Sequence, residues 1–583
     1  MKRIVALIQV ILLVGIMVVP SSCSDFLEKR PPAAAAGVAL ETDQGVEALL
    51  VGTYAVLRGS GRFGGALATD WTYGSCVADD AYKGSESGDQ TNFNLVERFQ
   101  ALPNNPYMTE RWQDCYNGVA RANQTLIFMK AAQAGGKPLT QTRATQVEAE
   151  TKFLRAWYHF QANKIFRNIP YIMTPDEMGG KLAEEIPNTG PCWDEIEADL
   201  QFAIDNLPES FPGMPGRADK YAAMAVKAHA HMYQNELAEA KNLLDGIIGS
   251  GEFSLVNNYF DNFDERTENN SESIFEIQAS ASAVNKTGLL IQQASAHQTG
   301  GAAAVGWGFF QPSQVLVDAF QVDDNGLPIL DINARATVKN DNGVLSINEF
   351  TPTDQLLDLR LDWTVSRRGI DFLGWGICPG QTWVRTQANG GPYMTKKYMH
   401  FAETHAQQNG SGSFNNRNFR MYRLSHILLW RAECAVEEGD LAYARELVNM
   451  IRERAKGSTP VMGLCSNTKF EATTVIEVDW SKPAANYKVE PYPAGHAAFA
   501  SADQARKAVR MEIQLEFATE GHRFFDLRRW GIDVEVLSDY LVRDLQVRDF
   551  LKDVVYNEKK RYWPIPQSQL DIQQGVLTQD PNY

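Results

Sequence analysis

Three stretches of the chain carry apolar residues at the spacing of one helix face, and they predict its main helices. The first is Val147 to Phe166, the second runs from Lys220 to Ile248, and the third runs from Tyr422 to Ala455. Apolar positions that recur every three to four residues are typical of helices that pack on a core. We therefore expect a mainly α protein in which these segments form the scaffold.

The second and third stretches share one plan, in which two helices flank a short polar turn. Alanines are frequent in the first helix of each pair, and Ala240 and Ala444 follow the turn on the packing face. In the third stretch Gly439 is placed to end one helix and Asp440 to cap the next. Small residues let antiparallel helices approach closely, as in tetratricopeptide (TPR) repeats. The strict TPR consensus is absent, so the predicted scaffold is TPR-like.

The remaining periodicity predicts further helices and one irregular region. The additional helices are expected at Gly45 to Leu57, Trp112 to Ala132, Asp194 to Leu207, Gln311 to Phe320 and Ser501 to Glu520. Between about residues 249 and 420, Gly, Asn, Ser and Trp become more frequent and the helical period weakens, with short strands expected at segments such as Ser273 to Gln278. Residues 456–500 are similar. Irregular segments on a rigid scaffold commonly carry binding function.

The N-terminus has the order of an export signal that ends at a cysteine. Lys2 and Arg3 precede an apolar run, and Pro20-Ser21-Ser22 then leads to Cys23. A charged start, a short apolar core and small residues are typical of a secretory signal. A cysteine at that point suits lipoprotein processing, in which the thiol is diacylated and anchors the chain. We predict a signal peptide at 1–22, a lipidated tether at 23–40 and one large domain at 41–583.

Charge and cysteine content narrow the choice of partners. The formal net charge is −16, and it falls to −18 once Lys2 and Arg3 are removed. A negative protein is a poor fit to nucleic acid or to a polybasic membrane contact. A neutral ligand, such as a glycan or a short peptide, fits better. The six cysteines after Cys23 are scattered without a C-x-x-C pair, so we expect most of them to be free and buried.

No arrangement of residues points to catalysis, a cofactor or a metal. The chain contains no G-x-S-x-G, H-E-x-x-H or P-loop motif. His229 and His231 lie two apart on a helix and therefore point to different faces. Glu512, Glu516 and Glu520 are followed by arginines within one segment, which favours a structural ion-pair network over a glycosidase carboxylate pair. We predict a binding protein with no cofactor and no metal site.

Tryptophans in glycine-rich segments are the best candidates for ligand contact. Trp307 and Trp375 each have a glycine on both sides, and Trp383 follows in the same region. Trp363 lies in the segment Asp358 to Trp383 with two of them. Sugar rings stack on aromatic faces, and nearby polar groups fix their orientation. The alternative for each tryptophan is that it packs a loop onto the core.

A second candidate is the segment from Thr69 to Ser87, which mixes aromatic and acidic residues. Tyr82 is a reserve stacking residue, and Asp79 and Asp80 are candidate readers of ligand hydroxyl groups. A polar loop of this composition suits hydrogen-bonded recognition. It is equally compatible with a solvated turn.

Several motifs occur in an order found in one family. They are "ERWQDCYNGVARANQTL" at 110–126, "EAETKFLRAWYHF" at 148–160, "EIQLEFATEGHRFFDLRRWG" at 512–531 and the closing "YWPIPQSQLDIQQGVLTQDPNY". The chain resembles the SusD/RagB family of outer-membrane nutrient-capture lipoproteins over nearly its whole length. It departs from the family pattern at Tyr422-Arg423-Leu424-Ser425 and at Asp580-Pro581-Asn582-Tyr583.

The resemblance implies a SusD-like fold, in which TPR-like helices hold an irregular binding face, and it implies no catalysis. It also implies a cell-surface protein of the outer membrane, anchored through its lipid, that acts as a lid on a SusC-like TonB-dependent transporter. Ligand positions vary within the family, so the site residues above rest on the loop argument alone. We favour a glycan ligand, with RagB-type peptide capture as the alternative and a glycan-cleaving surface enzyme as a further one.

Overall fold

The computed structural model describes residues 37–60, 63–135, 137–279, 306–407, 417–471 and 476–583. The predicted signal peptide, Cys23 and most of the predicted tether lie outside these residues, as does part of the predicted loop-rich region. Among the described helices, none is both long enough and apolar enough to cross a bilayer.

The described residues are mainly helical, as the sequence predicts. The helices are α1 (Gly37–Leu40), α2 (Asp43–Tyr54), α3 (Thr91–Glu97), α4 (Pro106–Gly135), α5 (Gln141–Phe166), α6 (Trp193–Asn206), α7 (Lys220–Gln234), α8 (Leu237–Ser250), α9 (Gln314–Ala319), α10 (Arg360–Thr364), α11 (Gln387–Gly390), α12 (Leu424–Glu437), α13 (Leu441–Gly457), α14 (Ala502–Glu516), α15 (Arg523–Arg529), α16 (Asp533–Asp544) and α17 (Gln567–Ile572).

Eight short strands form antiparallel pairs and no larger sheet within the described part of the chain. The strands are β1 (Ala81–Gly84), β2 (Ser273–Ile277), β3 (Phe309–Pro312), β4 (Val365–Ser366), β5 (Met394–Thr395), β6 (Phe419–Arg423), β7 (Met462–Cys465) and β8 (Val478–Pro483). The pairs are β1 with β3, β2 with β6, β4 with β5, and β7 with β8. Each pair therefore joins two separate segments of the chain, and strand residues such as Phe275 and Phe309 lie in the core beside the helices.

Helices α2, α4 and α5 pack closely because small and aromatic residues face each other. At Gly118 of α4, a β-carbon would lie 2.5 Å from the ring of Tyr158 on α5, so only glycine fits there. The Tyr158 hydroxyl donates to the backbone oxygen of Thr53 on α2, at 2.6 Å. This one side chain therefore fixes the spacing of three helices.

The pairs α7–α8 and α12–α13 have the predicted helix–turn–helix form. Ala240 and Ala444 are fully buried at the packing faces, as expected. Gly439 adopts φ +80°, and the Asp440 side chain accepts the Tyr443 backbone N–H at 3.0 Å. Glycine ends the first helix of the pair and aspartate caps the second, as the sequence predicts.

A buried set of ion pairs, which we call the ion-pair cluster, joins the helical layer to the irregular region. Its members are Glu272, Arg360, Lys397, Arg423, Arg452, Arg454, Glu512, Glu516 and Glu520. Glu516 contacts Arg423 and Arg454, each at 2.5 Å, and Arg360 at 3.0 Å. The network that the sequence predicts around the glutamates of α14 is present, and its partners come from distant segments.

The charges in this cluster compensate one another despite their burial. Burial alone would raise the pKa of Glu516, but the guanidinium groups of Arg454, Arg423 and Arg360 hold it well below its usual range. Its side chain and those of its partners are between 0 and 3% exposed. Removing a single member would leave charge without compensation in a medium of low polarity.

The six cysteines after Cys23 are free and buried. Burial raises the pKa of the Cys115 thiol to about 12, so it stays protonated and unreactive at neutral pH. The expectation that most of these residues act as small apolar side chains agrees with this placement.

Candidate functional site

The segment from Asp358 to Trp383 brings three of the predicted tryptophans into one aromatic cluster. Trp363, Trp375 and Trp383 pack with the buried Phe260 and Phe372. The segment begins at α10 and continues through β4, which pairs with β5. The fold brings these three tryptophans together, as their shared segment suggests. The three rings differ in their exposure to solvent.

Trp363 is the predicted tryptophan that faces a cavity. One face of its indole stacks on Phe260, with ring centroids 4.8 Å apart and an interplanar angle of 25°. Its N–H donates to the backbone oxygen of Thr459 at 2.8 Å. The ring is thus held in one orientation by a stacked neighbour and a hydrogen bond. Because the side chain is already ordered, less conformational entropy is lost when a ligand binds to it.

The cavity beside Trp363 measures about 240 Å³ and opens to solvent. We call it the aromatic cavity, and its lining residues are Trp363, Asp371, Leu373, Lys396, Phe401, Thr459, Pro460, Val461, Met462 and Trp480. Its volume lies below the ~300–1,000 Å³ of sites that enclose a drug-sized ligand. An open cavity of this size suits one or two rings of a longer chain that continues into solvent.

Trp480, on β8, is a second platform at the cavity that the sequence analysis missed. Its side chain is 57% exposed, which is unusual for a large aromatic residue. It lies across Gly463 of the neighbouring strand β7, where a β-carbon would come within 2.7 Å of the indole ring. Gly463 therefore provides the space in which the ring rests, and much of the indole stays exposed to solvent. The available signal was a tryptophan between Asp479 and Ser481 in an otherwise polar stretch.

Lys396 supplies a positive charge at the wall of the cavity. Its ammonium group donates to the backbone oxygens of Asp362 at 2.6 Å and Asp371 at 2.5 Å. Burial lowers the pKa of Lys396 to about 8, while the nearby Asp362 and Asp371 act in the opposite direction. The Asp371 carboxylate accepts the Gly374 backbone N–H at 2.9 Å. Because Lys396 is fully buried, its ammonium lies behind the cavity wall, and the Asp371 carboxylate is the charged group that a ligand can reach. Aromatic faces beside a carboxylate suit a hydroxyl-rich ligand.

Trp375, Trp383 and Trp307 lie apart from the lining of the cavity. Trp375 is half-buried, and its N–H donates to the His400 backbone oxygen at 3.0 Å. Trp383 is only 6% exposed and packs edge-on against Phe372, so its place is in the core of the aromatic cluster. Trp307 is 39% exposed and precedes β3. For Trp307 and Trp375, ligand contact stays a prediction.

The candidate residues of the Thr69 to Ser87 segment are buried and have protein partners. Tyr82 is 1% exposed, and the Arg548 guanidinium covers its ring at 3.6 Å. Asp79 forms a bidentate pair with Arg523, at 2.7 and 2.9 Å. The predicted polar loop is therefore a packed segment, and ligand contact by Tyr82 and Asp79 stays a prediction.

Asp80 is also buried and bonded to protein groups, and its contact with a ligand stays a prediction. Its carboxylate accepts the Ser75 hydroxyl at 2.7 Å and the Thr519 backbone N–H at 2.9 Å. Burial raises its pKa to about 7, and Asp79 adds to the effect. The segment that reads as a polar loop is thus a packed part of the scaffold, joined to the turn before α15.

Sequence comparisons agree with this architecture. A profile of the SusD family matches residues 271–583, and a second profile, described as starch-binding associating with outer membrane, matches residues 25–232. A SusD-like protein of Formosa agariphila is 24% identical over 579 residues, which cover 96% of this chain and 95% of the relative. A SusD-like protein of Bacteroides ovatus is 22% identical over 216 residues, or 35% of this chain and 38% of the relative.

Solved structures show the same fold. Surface glycan-binding protein A from Bacteroides fluxus matches with a TM-score of 0.65 and 22% identity, covering 93% of this chain and all of that one. The protein of the same name from Bacteroides thetaiotaomicron, in complex with laminarihexaose, matches with a TM-score of 0.65 and 21% identity over the same shares. The expected SusD-like, mainly α fold is confirmed. Since the SusD-family profile spans more than half of the chain, the protein belongs to the SusD family.

Proposed function

We propose that this protein binds a glycan at the aromatic cavity, without cleaving it, and passes it to a SusC-like TonB-dependent transporter for import. The observation that carries the proposal is the presence of Trp363 and Trp480 at one solvent-open cavity, with Lys396 and Asp371 beside them. Sugar rings present C–H faces to indoles, and their hydroxyl groups donate to a carboxylate such as that of Asp371. This chemistry favours a glycan over a peptide, which would gain more from an unpaired strand edge.

Two observations support an outer-membrane location for the protein. One matching family profile is described as associating with outer membrane. The order of charged, apolar and small residues before Cys23 suits a lipid anchor. We propose that Cys23 carries the lipid and that the folded domain faces the cell exterior. Replacing Cys23 with Ala should release the protein from isolated outer membranes, and retention of C23A in that fraction would contradict the anchor.

The binding test uses calorimetry with a panel of glycans and peptides. It begins with laminarin oligosaccharides because one solved structure of this fold is a laminarin-binding SusD-like protein and another is a complex with laminarihexaose. Removing a central aromatic anchor from an interface typically costs at least ~2 kcal/mol, or about 30-fold in affinity. W480A should lose affinity by this amount and keep its stability, because the side chain is largely exposed. W363A should lose both affinity and some stability, because its ring also packs on Phe260.

A matched control separates binding from packing. Trp193, on α6, packs on Phe160 in the helical layer, so W193A should lose stability and keep glycan affinity. If W480A and W363A bind glycans as the unmodified protein does, the aromatic cavity is not the site, and Trp307 and Trp375 become the next variants to measure. Binding of peptides with no glycan hit would reverse the choice of ligand. Steady release of cleaved sugar by the pure protein would identify an enzyme.

A further inference from the structure

Two carboxylates converge on one buried imidazole in the helical layer, away from the aromatic cavity. His231 of α7 places its Nδ1 atom 2.7 Å from a carboxylate oxygen of Glu236 and 3.7 Å from one of Glu197. Glu197 lies on α6, and Glu236 lies in the short turn between α7 and α8. The three side chains therefore come from three separate positions of the scaffold, which sequence spacing around His229 and His231 does not reveal.

Unlike the glutamates of the ion-pair cluster, the two carboxylates of this group are only partly buried, with Glu197 22% and Glu236 43% exposed. Among the described residues, neither Glu197 nor Glu236 has a lysine or arginine nitrogen within 4.0 Å. Lys227, the nearby ammonium group, donates to Gln201 at 2.7 Å instead. By contrast, the glutamates of the ion-pair cluster each contact at least one guanidinium group. The Glu197 oxygen that faces His231 accepts the Gln234 side-chain N–H at 2.6 Å, so a bound ion would share or replace that hydrogen bond.

The donor set and its spacing suit a zinc ion. Zinc takes His nitrogen and carboxylate oxygen at ~2.0–2.2 Å in tetrahedral sites, so neighbouring ligand atoms lie about 3.4 Å apart. The three ligand atoms here lie within 4.8 Å of one another. The distance from His231 Nδ1 to Glu236 is shorter than the tetrahedral separation, at 2.7 Å, and the distance to Glu197 is longer, at 3.7 Å. The Glu236 side chain is 43% exposed and can adjust by the ~1 Å that closure requires. Calcium, by comparison, prefers six to eight oxygen ligands.

We propose that Glu197, His231 and Glu236 form a zinc site in which solvent fills the fourth position. The ion takes the place of the hydrogen bond between His231 Nδ1 and Glu236. Because the ligands come from α6, α7 and the turn before α8, the bound ion crosslinks two successive units of the TPR-like layer. Zinc therefore stabilises the scaffold without contacting the glycan cavity.

The test is zinc binding to tag-free protein after dialysis against a chelator, measured by calorimetry and by elemental analysis of dialysed samples. We expect one zinc per chain and a rise in melting temperature on adding zinc, with no comparable rise on adding calcium. E197Q and E236Q should each weaken binding at least ~10-fold, as loss of even outer-shell partners does elsewhere. H231Q should abolish it.

Controls keep a structural role distinct from metal binding. E239Q removes the same charge from an exposed position of α8, and it should leave zinc affinity unchanged. E236Q keeps the fold testable even if H231Q is poorly stable, because Glu236 is largely at the surface. No zinc uptake at 100-fold molar excess, or uptake that persists unchanged in E197Q, H231Q and E236Q, would overturn the proposal.

Discussion

Replacing Glu516 with Gln should destabilise the protein far more than the same replacement at an exposed glutamate whose ion pair is equally short. The change keeps the size of the side chain and removes its charge. The carboxylate of Glu516 contacts Arg423, Arg454 and Arg360, and all four side chains are at most 3% exposed. The amide of Gln would also present two N–H donors to groups that are themselves donors, so part of the hydrogen bonding is lost with the charge.

The expected cost follows from what each arginine retains. Arg360 keeps Asp358 and Glu512, Arg423 keeps Glu272 and Glu520, and Arg454 keeps Glu272. No guanidinium is therefore left wholly without an acid. The loss should be that of one broken buried pair, about 3–5 kcal/mol of unfolding free energy, and not three times that amount.

The matched control is E437Q. Glu437 forms a bidentate pair with Arg506 at 2.5 and 2.6 Å, but the two side chains are 39% and 33% exposed. Exposed pairs typically contribute ~0.2–1 kcal/mol. Urea unfolding, followed by circular dichroism and tryptophan fluorescence, should shift its midpoint several times further for E516Q than for E437Q. Equal shifts would refute the argument that burial makes this cluster important.

Two further predictions concern the cavity and the response to pH. G463A should weaken glycan binding, measured by calorimetry, because the added β-carbon displaces the Trp480 indole. The control is G495A, because Gly495 also has a positive φ but has open space at the β-carbon, so its affinity should not change. Equal affinities for the two variants would contradict the role of Gly463. His159 is buried, which lowers its pKa to about 3, so its contribution to stability is complete above pH ~6.5 and is lost as pH falls towards 3. Between pH 6.5 and 4.5, the free energy of unfolding in urea should therefore fall by about 2 kcal/mol less in H159Q than in the unmodified protein, with H496Q as the control. Parallel pH profiles for all three proteins would show that His159 is not held neutral.

The helical scaffold was predictable because its signals are local. Periodic apolar residues, alanines at close contacts, and the Gly439 and Asp440 pair each act within a few residues of the chain. The ion-pair network around α14 was predictable in kind, since alternating acids and arginines in one segment must satisfy each other or distant partners. The identity of those partners was not, because Arg360 and Arg454 come from segments more than 60 residues away.

The candidate site was harder to predict, since it depends on which polar segments become buried. Asp79 and Tyr82 lie in a sequence that reads as a solvated loop, yet Arg523 and Arg548 cover them. Burial of charged residues needs partners from elsewhere, and periodicity carries no signal of them. Trp480 was missed for the converse reason: a strand with polar neighbours gives no indication that its tryptophan rests on a glycine of the next strand.

The arrangement of the ion-pair cluster has a consequence for how proteins of this kind diversify. The cluster fixes the long irregular region at a few points, namely Glu272, Arg360, Lys397 and Arg423, and leaves the intervals between them free to differ in length and sequence. Doubling the length of such an interval costs only about 0.6 kcal/mol of closure entropy. A lineage can therefore exchange one interval, with its aromatic residues, for another and acquire a new ligand while the attachment points and the helical layer stay the same.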